Sequence, residues 1–212
     1  METDSHSLPK RSGAMRNTSV LYTLIILMVI GNASNAFCWD GQRKGFILGF
    51  GLGSGLTSYT QSVEYSGFST TSDRENKLPI NTDFRIGYAP DKQFSIFYVN
   101  KVSWFGLDNA FGDNVTIANG VGGLGFSYFL LESCPSIYYT GSIGVSSWNT
   151  PFEEGSEAWT GFGLSFGWGY EFSPHFTFEN VVSWGKPSKK ESGFEVSTNA
   201  FPLYAMINIL GY

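Results

Sequence analysis

Between Trp159 and Trp184 nearly every second residue is bulky and apolar, and this stretch restricts the possible fold more than any other. Phe162, Leu164, Phe166, Trp168, Tyr170 and Phe172 alternate with Gly161, Gly163, Ser165, Gly167, Gly169 and Glu171. A period of two places the two sets on opposite faces of a β-strand. After a reversal at Ser173, Pro174 and His175, Phe176 and Phe178 are opposed by Thr177 and Glu179, and the pattern runs on to Trp184. The segment is predicted to be a β-hairpin with one bulky and one thin face.

The thin face discriminates between architectures. A soluble barrel or sandwich buries its bulky face and coats the other with charge, and glycine and serine make a poor coat for a solvated sheet. A transmembrane barrel inverts this arrangement: aromatics meet lipid, and small or polar residues line a narrow lumen. Composition agrees with the second solution, because aromatics reach 17% and glycines number 26 of 212, while charged residues fall to 15% against a norm of about 25%. A net charge of −5, with no stripe of lysine and arginine, excludes nucleic acid as a partner.

Taken in order, residues 1–14 are a polar extension, and Met15 and Arg16 open an export signal. Its apolar run is Val20–Ile30, and Ser34 and Ala36 are placed for signal peptidase. The expected division is therefore an extension and cleaved signal over 1–36 (signal about 15–36), then a barrel domain over 37–212. The apolar run is shorter than the ~18 residues of a transmembrane helix. Two cysteines remain. Cys38 and Cys134 are a candidate disulfide in an oxidising compartment, with separate thiols as the alternative. Phe37 stands where a lipobox needs a small residue, which argues against lipidation of Cys38.

Eight strands can be counted: Gly45–Thr57, Leu78–Tyr88, Phe94–Trp104, Val115–Leu131, Ile137–Trp148, the two strands of the opening hairpin, and a last one ending at Tyr212. Long Ser/Thr- or Gly/Asn-rich segments separate some of them, at 58–76 and 105–114, and short reversals separate others. An acidic loop carries Glu153, Glu154 and Glu157, and a basic one carries Lys186, Lys189 and Lys190. The expected fold is all-β: an eight-stranded antiparallel up-and-down transmembrane β-barrel with periplasmic termini, three short turns and four longer extracellular loops. A weak internal repeat, which either duplication or the common grammar of barrel strands would produce, relates Gly87–Trp104 with Gly169–Trp184; strand parity places Asn100 and Asn180 toward lipid, against the polarity rule.

Strand parity gathers Asp83, Arg85, Lys101, Glu171 and Glu179 on the thin face as a lumen charge cluster. Arg85 and Glu179 stand at similar heights on strands that face each other, so a bridge between them is expected. On the bulky face, Tyr88, Tyr170 and Phe172 near the short turns, and Trp104, Trp148, Trp159 and Trp184 near the other ends of their strands, are expected to form two aromatic belts.

The hairpin from Gly167 through Phe178, the glycine-alternating strand from Gly45 and the terminal Tyr212 resemble the small eight-stranded outer-membrane proteins. These include the transmembrane domain of outer membrane protein A, the X-type proteins and the opacity-type surface antigens. The resemblance covers Lys44 to Tyr212 and is one of pattern. It implies insertion by the barrel-assembly machinery, through a signal that maps to Tyr204, Met206, Leu210 and Tyr212, with Asn208 departing from the alternation. It also implies the cell outer membrane as location and contact with outer-membrane lipid and lipopolysaccharide. A monomer whose extracellular ligand is unknown is expected.

Enzymatic barrels need a histidine beside a serine or carboxylate. Only His6, ahead of the signal, and His175, in a short turn, exist. No cofactor and no metal are implied, and no catalytic residue is assigned. The expected function is a membrane anchor presenting surface loops, with a surface-antigen, adhesion or envelope-integrity role. A narrow or gated porin-like channel is the alternative, and a soluble lipocalin-like barrel or a lipid-modifying barrel enzyme lies further off.

Overall fold

The computed structural model describes residues 42–108, 114–191 and 193–212. The strands are β1 (Gly45–Tyr65), β2 (Phe68–Thr71), β3 (Glu75–Lys77), β4 (Ile80–Ala89), β5 (Phe94–Asp108), β6 (Asn114–Phe129), β7 (Ser136–Asn149), β8 (Trp159–Ser173), β9 (Phe176–Glu191) and β10 (Phe194–Gly211). Leaving aside β2 and β3, each strand pairs antiparallel with the next in the chain, and β10 returns to pair with β1 along Leu48 to Tyr65. The eight-stranded ring is thereby closed. Closure pairs the backbone of every wall strand on both sides, the condition for a sheet to stand in hydrocarbon.

The outer wall is apolar and the inner wall is small or polar. Phe50, Leu52, Ile86, Tyr98, Leu124, Ile143, Phe166, Trp168 and Ile207 all face outward and exposed, whereas the alternate positions carry glycine, serine, threonine and the charged residues. Large side chains enter the lumen only where the facing residue makes room. The Tyr138 ring lies where a Cβ at Gly169 would stand, so the glycine opposite is what admits an aromatic into so narrow a barrel.

Several strands run past the ends expected from the turn residues. β1 continues to Tyr65, turns at Ser66 and Gly67 with positive φ at both (48° and 84°), and pairs back through β2 and then β3. Two successive positive φ values suit a tight hairpin reversal. Likewise Lys186, Lys189 and Lys190, expected in a loop, lie on β9, which still pairs with β10 at Phe194↔Glu191. Above the bilayer both faces of such a hairpin meet water, so the apolar alternation thins to scattered pairs such as Val63 with Val196 and Tyr65 with Phe194, among Ser, Thr, Glu and Lys, although the ladder continues.

Candidate functional site

The lumen is filled at three levels. At mid-height, Asp83 and Arg85 on β4, Lys101 on β5 and Glu179 on β9 form a closed four-charge knot. Arg85 Nη2 donates to Glu179 Oε2 at 2.8 Å and also binds Asp83. Lys101 Nζ joins the two carboxylates, at 2.8 Å from Asp83 Oδ2 and 2.7 Å from Glu179 Oε1. Two cations and two anions cancel, as a buried cluster requires. The knot is braced by Tyr138, whose hydroxyl donates to Glu179 Oε2 at 2.9 Å, and by the Arg85 guanidinium packing 5.2 Å over the Phe97 ring.

Glu171 does not join this knot. It lies lower, 3.1 Å from Arg43 Nε as an ion pair, and accepts a hydrogen bond from the Tyr212 hydroxyl at 3.2 Å. Arg43 also donates from Nη1 to the carbonyls of Lys92 at 3.1 Å and Leu131 at 2.9 Å, and its guanidinium stacks 4.2 Å over Phe129. One side chain ahead of β1 therefore gathers the ends of all three short turns and closes the periplasmic mouth. His175 belongs to the same floor: it is buried, with Nδ1 2.8 Å from the Leu210 carbonyl and its ring 5.6 Å from that of Tyr212.

The third level is aromatic. Tyr59, Phe105, Ile117, Trp148 and Ala200 form a buried cluster with Trp159 packed against it. This corrects the belts: Trp148, 4% exposed, and the half-buried Trp159 point into the barrel. Both are even with inward neighbours on their own strands, Ser146 and Gly161, and the space above the polar mid-lumen selects large rings. Tyr88, Tyr170 and Phe172 face outward near the short turns, and Trp104 and Trp184 face outward at the other rim. The indoles of the last two donate to Thr82 Oγ1 at 2.9 Å and Asn199 Oδ1 at 2.8 Å.

The last strand needs a second correction. Tyr204, Met206, Leu210 and Tyr212 line the lumen, and the lipid-facing alternation is Phe201, Leu203, Ile207 and Ile209. Asn208 then ceases to be an anomaly, because it points inward and its amide donates to Thr177 and Glu179. Asn100 and Asn180 do face outward, without a hydrogen-bonding partner for either amide among the described residues. Cys134 is half-buried in the second short turn, and its candidate partner Cys38 lies outside the described residues, as do the signal peptide and His6.

Sequence reasoning did not find Arg43, Tyr138, Thr177 or Asn208. Tyr138 carries a signal, standing as an aromatic between Ser136, Thr140, Ser142 and Gly144 on the inward face of β7. Arg43 carries none, since it precedes the first alternation. Near the extracellular end, Lys189 pairs with Glu157 at 3.1 Å and Lys190 with Glu195 at 3.2 Å; the hydrogen bond from Lys190 holds the Glu195 carboxyl below the usual carboxylate range. Among the described residues no group of His, Cys, Asp and Glu is arranged to hold a metal ion.

A closed ring with an apolar outer wall, outward aromatics at both rims and a charged interior is a membrane-spanning β-barrel of the bacterial outer-membrane type. No protein-family model matches the sequence, and no curated protein matches it. Among solved structures it is similar to the attachment invasion locus protein Ail of Yersinia pestis, bound there to a heparin analogue. Identity is 13%, with 77% of this chain and 99% of that one covered and a TM-score of 0.38. It is also similar to the outer membrane protein OprG of Pseudomonas aeruginosa (11% identity, 81% and 99% covered, TM-score 0.45). A third is the outer membrane protease OmpT of Escherichia coli (10% identity, 79% and 97% covered, TM-score 0.41).

Proposed function

We propose that the protein is an outer-membrane anchor that displays its extracellular hairpins and does not conduct. The observation supporting this reading is the filled lumen: the Arg43–Glu171–Tyr212 floor, the four-charge knot and the Tyr59–Phe105–Trp148 cluster each cross the barrel. Eight strands enclose little more than side chains can occupy, so a solute would have to displace all three layers. The working surface is then the set of hairpins that rise above the Trp104 and Trp184 belt, in contact with lipopolysaccharide, host molecules or envelope partners. In this reading the signal at about 15–36 is removed on export, the barrel-assembly machinery inserts the domain over 37–212, and the barrel acts as a monomer. It also acts without catalysis, its barrel histidine being engaged at the closed floor. Planar-bilayer recording on the refolded protein tests this. Silence is expected, and steady unitary conductance would replace the anchor with a narrow channel.

A further inference from the structure

On the outer wall above Trp184 the strand ladder arranges side chains in graded rungs. The lowest is aromatic, with Phe201 paired to Ser58 and lying beside Trp184. The next holds Thr60 and Asn199, paired across β1 and β10, with Lys186 alongside. Above it Ser62 pairs with Ser197 and Thr71, and Ser197 with Ser188. The top rung holds Ser69, Glu64, Glu195 and Lys190. The rungs from Thr60 and Asn199 up to Glu64 and Glu195 enclose a cleft of about 350 Å³, within the range of about 300–1,000 Å³ for small-molecule sites.

Two features point to an occupant. Glu64 lies directly opposite Glu195, a cross-strand pairing of like charges that weakens a hairpin. Lys190 pairs with Glu195, on which the charge of Lys186 also acts, whereas Glu64 has no salt-bridge partner among the described residues. The cleft thus presents an acceptor at its top, a cationic donor at its bottom, and hydroxyl groups between. Trp184 occupies Asn199 Oδ1, which turns the Asn199 NH2 into a donor available to the cleft. The charges balance, Lys186 and Lys190 against Glu64 and Glu195, so a polyanion gains nothing here. A neutral compound bearing many hydroxyls gains both donors and acceptors.

We propose that this cleft binds the uncharged sugar of a membrane glycolipid, the saccharide lying across the Thr60–Asn199 and Ser62–Ser197 rungs and its chains descending past Trp184, Phe201 and Leu203. The inference deepens the anchor reading by naming what the outer rim holds, and it rests on the outer-membrane orientation in that reading. The lipid tether sets the source apart from a free saccharide: the hydroxyl chemistry is shared, but only the lipid also reaches the aromatic rung and the wall below.

The test uses the full barrel reconstituted in phosphatidylcholine vesicles with or without a neutral monohexosyl diacylglycerol, bound glycolipid being read by photo-crosslinking, and free methyl hexoside being read by saturation-transfer NMR. Specific labelling in the glycolipid vesicles is expected, reduced at least tenfold by the S62V/S197V double substitution and by Glu64→Gln. An unchanged shift between boiled and unboiled gel mobility shows that both variants are folded. Free methyl hexoside is expected to bind only weakly. Equal binding of the free sugar would overturn the glycolipid source, and preference for a phosphate-bearing glycolipid that weakens with salt would overturn the uncharged class. Absence of labelling would overturn the site itself. Channel conductance is unaffected by any of these outcomes, so failure here is distinct from failure of the anchor reading.

Discussion

Arg85 and Glu179 lie 94 residues apart in the chain, and 2.8 Å separates Nη2 of the one from Oε2 of the other. Their strands, β4 and β9, have two others between them around the ring on the shorter side, so the contact crosses the lumen. Because Lys101 and Asp83 share the same carboxylate and guanidinium, loss of one member leaves a buried charge incompletely paired. Arg85→Met or Glu179→Gln should each destabilise the barrel by about 3–5 kcal/mol. In a double-mutant cycle read by urea unfolding from vesicles, the two should couple by about 0.5–3 kcal/mol. Coupling indistinguishable from zero would mean that the lumen is hydrated enough to screen the pair.

Arg43 holds the periplasmic mouth, and its removal should be felt at three places distant in sequence. It binds the carbonyls of Lys92 and Leu131 and the carboxylate of Glu171, one group at or beside each short turn. Arg43→Met is expected to raise amide hydrogen exchange in residues 90–93, 130–135 and 173–175 together, while leaving exchange around Trp184 as it was. Faster exchange confined to a single turn would reject its role as a hub.

Strand count and direction were legible because a lipid-facing wall must be apolar at every second residue, and from Phe162 to Phe178 the bulky set alternates with glycine and serine, a poor coat for a solvated face. The central charges were legible for the same reason: on a face of glycine and serine, Asp83, Arg85, Lys101 and Glu179 are conspicuous. Parity became unreadable where both faces carry aromatics. At the top of the barrel Trp148 and Trp159 point inward beside Tyr59 and Phe105, and on β10 Tyr204 and Met206 are as apolar as Leu203 and Ile207. Either assignment satisfies the alternation there, and Asn208, bonded to Thr177 and Glu179 inside, was the residue that pointed to the right one. Above the membrane the apolar positions thin to a few, such as Val63, Tyr65, Phe68 and Val196, among Ser, Thr, Glu and Lys, so β2, β3 and the lysine-bearing end of β9 looked like loops.

The inward turn of Trp148 predicts unequal behaviour among the tryptophans. Trp104 and Trp184 are lipid-facing at the rim and should be quenched by bromine-labelled acyl chains, with efficiency depending on label depth. Trp148, packed 5.0 Å from Tyr59 and 5.6 Å from Phe105, should not be quenched. Trp148→Ala removes a buried ring and should cost about 3–5 kcal/mol, while Trp104→Ala should cost less. Single-tryptophan variants measure both, and acyl-chain quenching of Trp148 would return it to the belt.

Lipid contact also sets a depth profile on the outer wall. Phe166 lies midway along β8 and is 59% exposed, so Phe166→Arg should destabilise by about 2–4 kcal/mol, against about 0–1 kcal/mol for Phe172→Arg beside the short turn. Asn100 runs the other way. Its outward amide has no partner among the described residues, so Asn100→Leu should stabilise the barrel by about 1 kcal/mol. Equal tolerance of arginine at positions 166 and 172 would mean that the wall does not face hydrocarbon.

The second short turn offers a pH-dependent handle. Burial pushes the Cys134 thiol above its ordinary value and the nearby Glu171 carboxylate adds to the rise, while the Arg43 guanidinium opposes both. The thiolate is the reactive form, so at neutral pH Cys134 should be alkylated more slowly than an exposed cysteine, with its rate rising at higher pH than the reference thiol. Removing Arg43 takes away the one charge that favours the thiolate, so Arg43→Met should move the rate profile further toward alkaline pH, and Glu171→Gln should move it back. Alkylation kinetics in a Cys38→Ser background isolate Cys134 and check the order. Loosening of the turn in Arg43→Met would raise the rate at every pH without moving the midpoint, so the midpoint is the quantity that reports the charges. An identical midpoint in all three proteins would show that neither Arg43 nor Glu171 acts on the thiol.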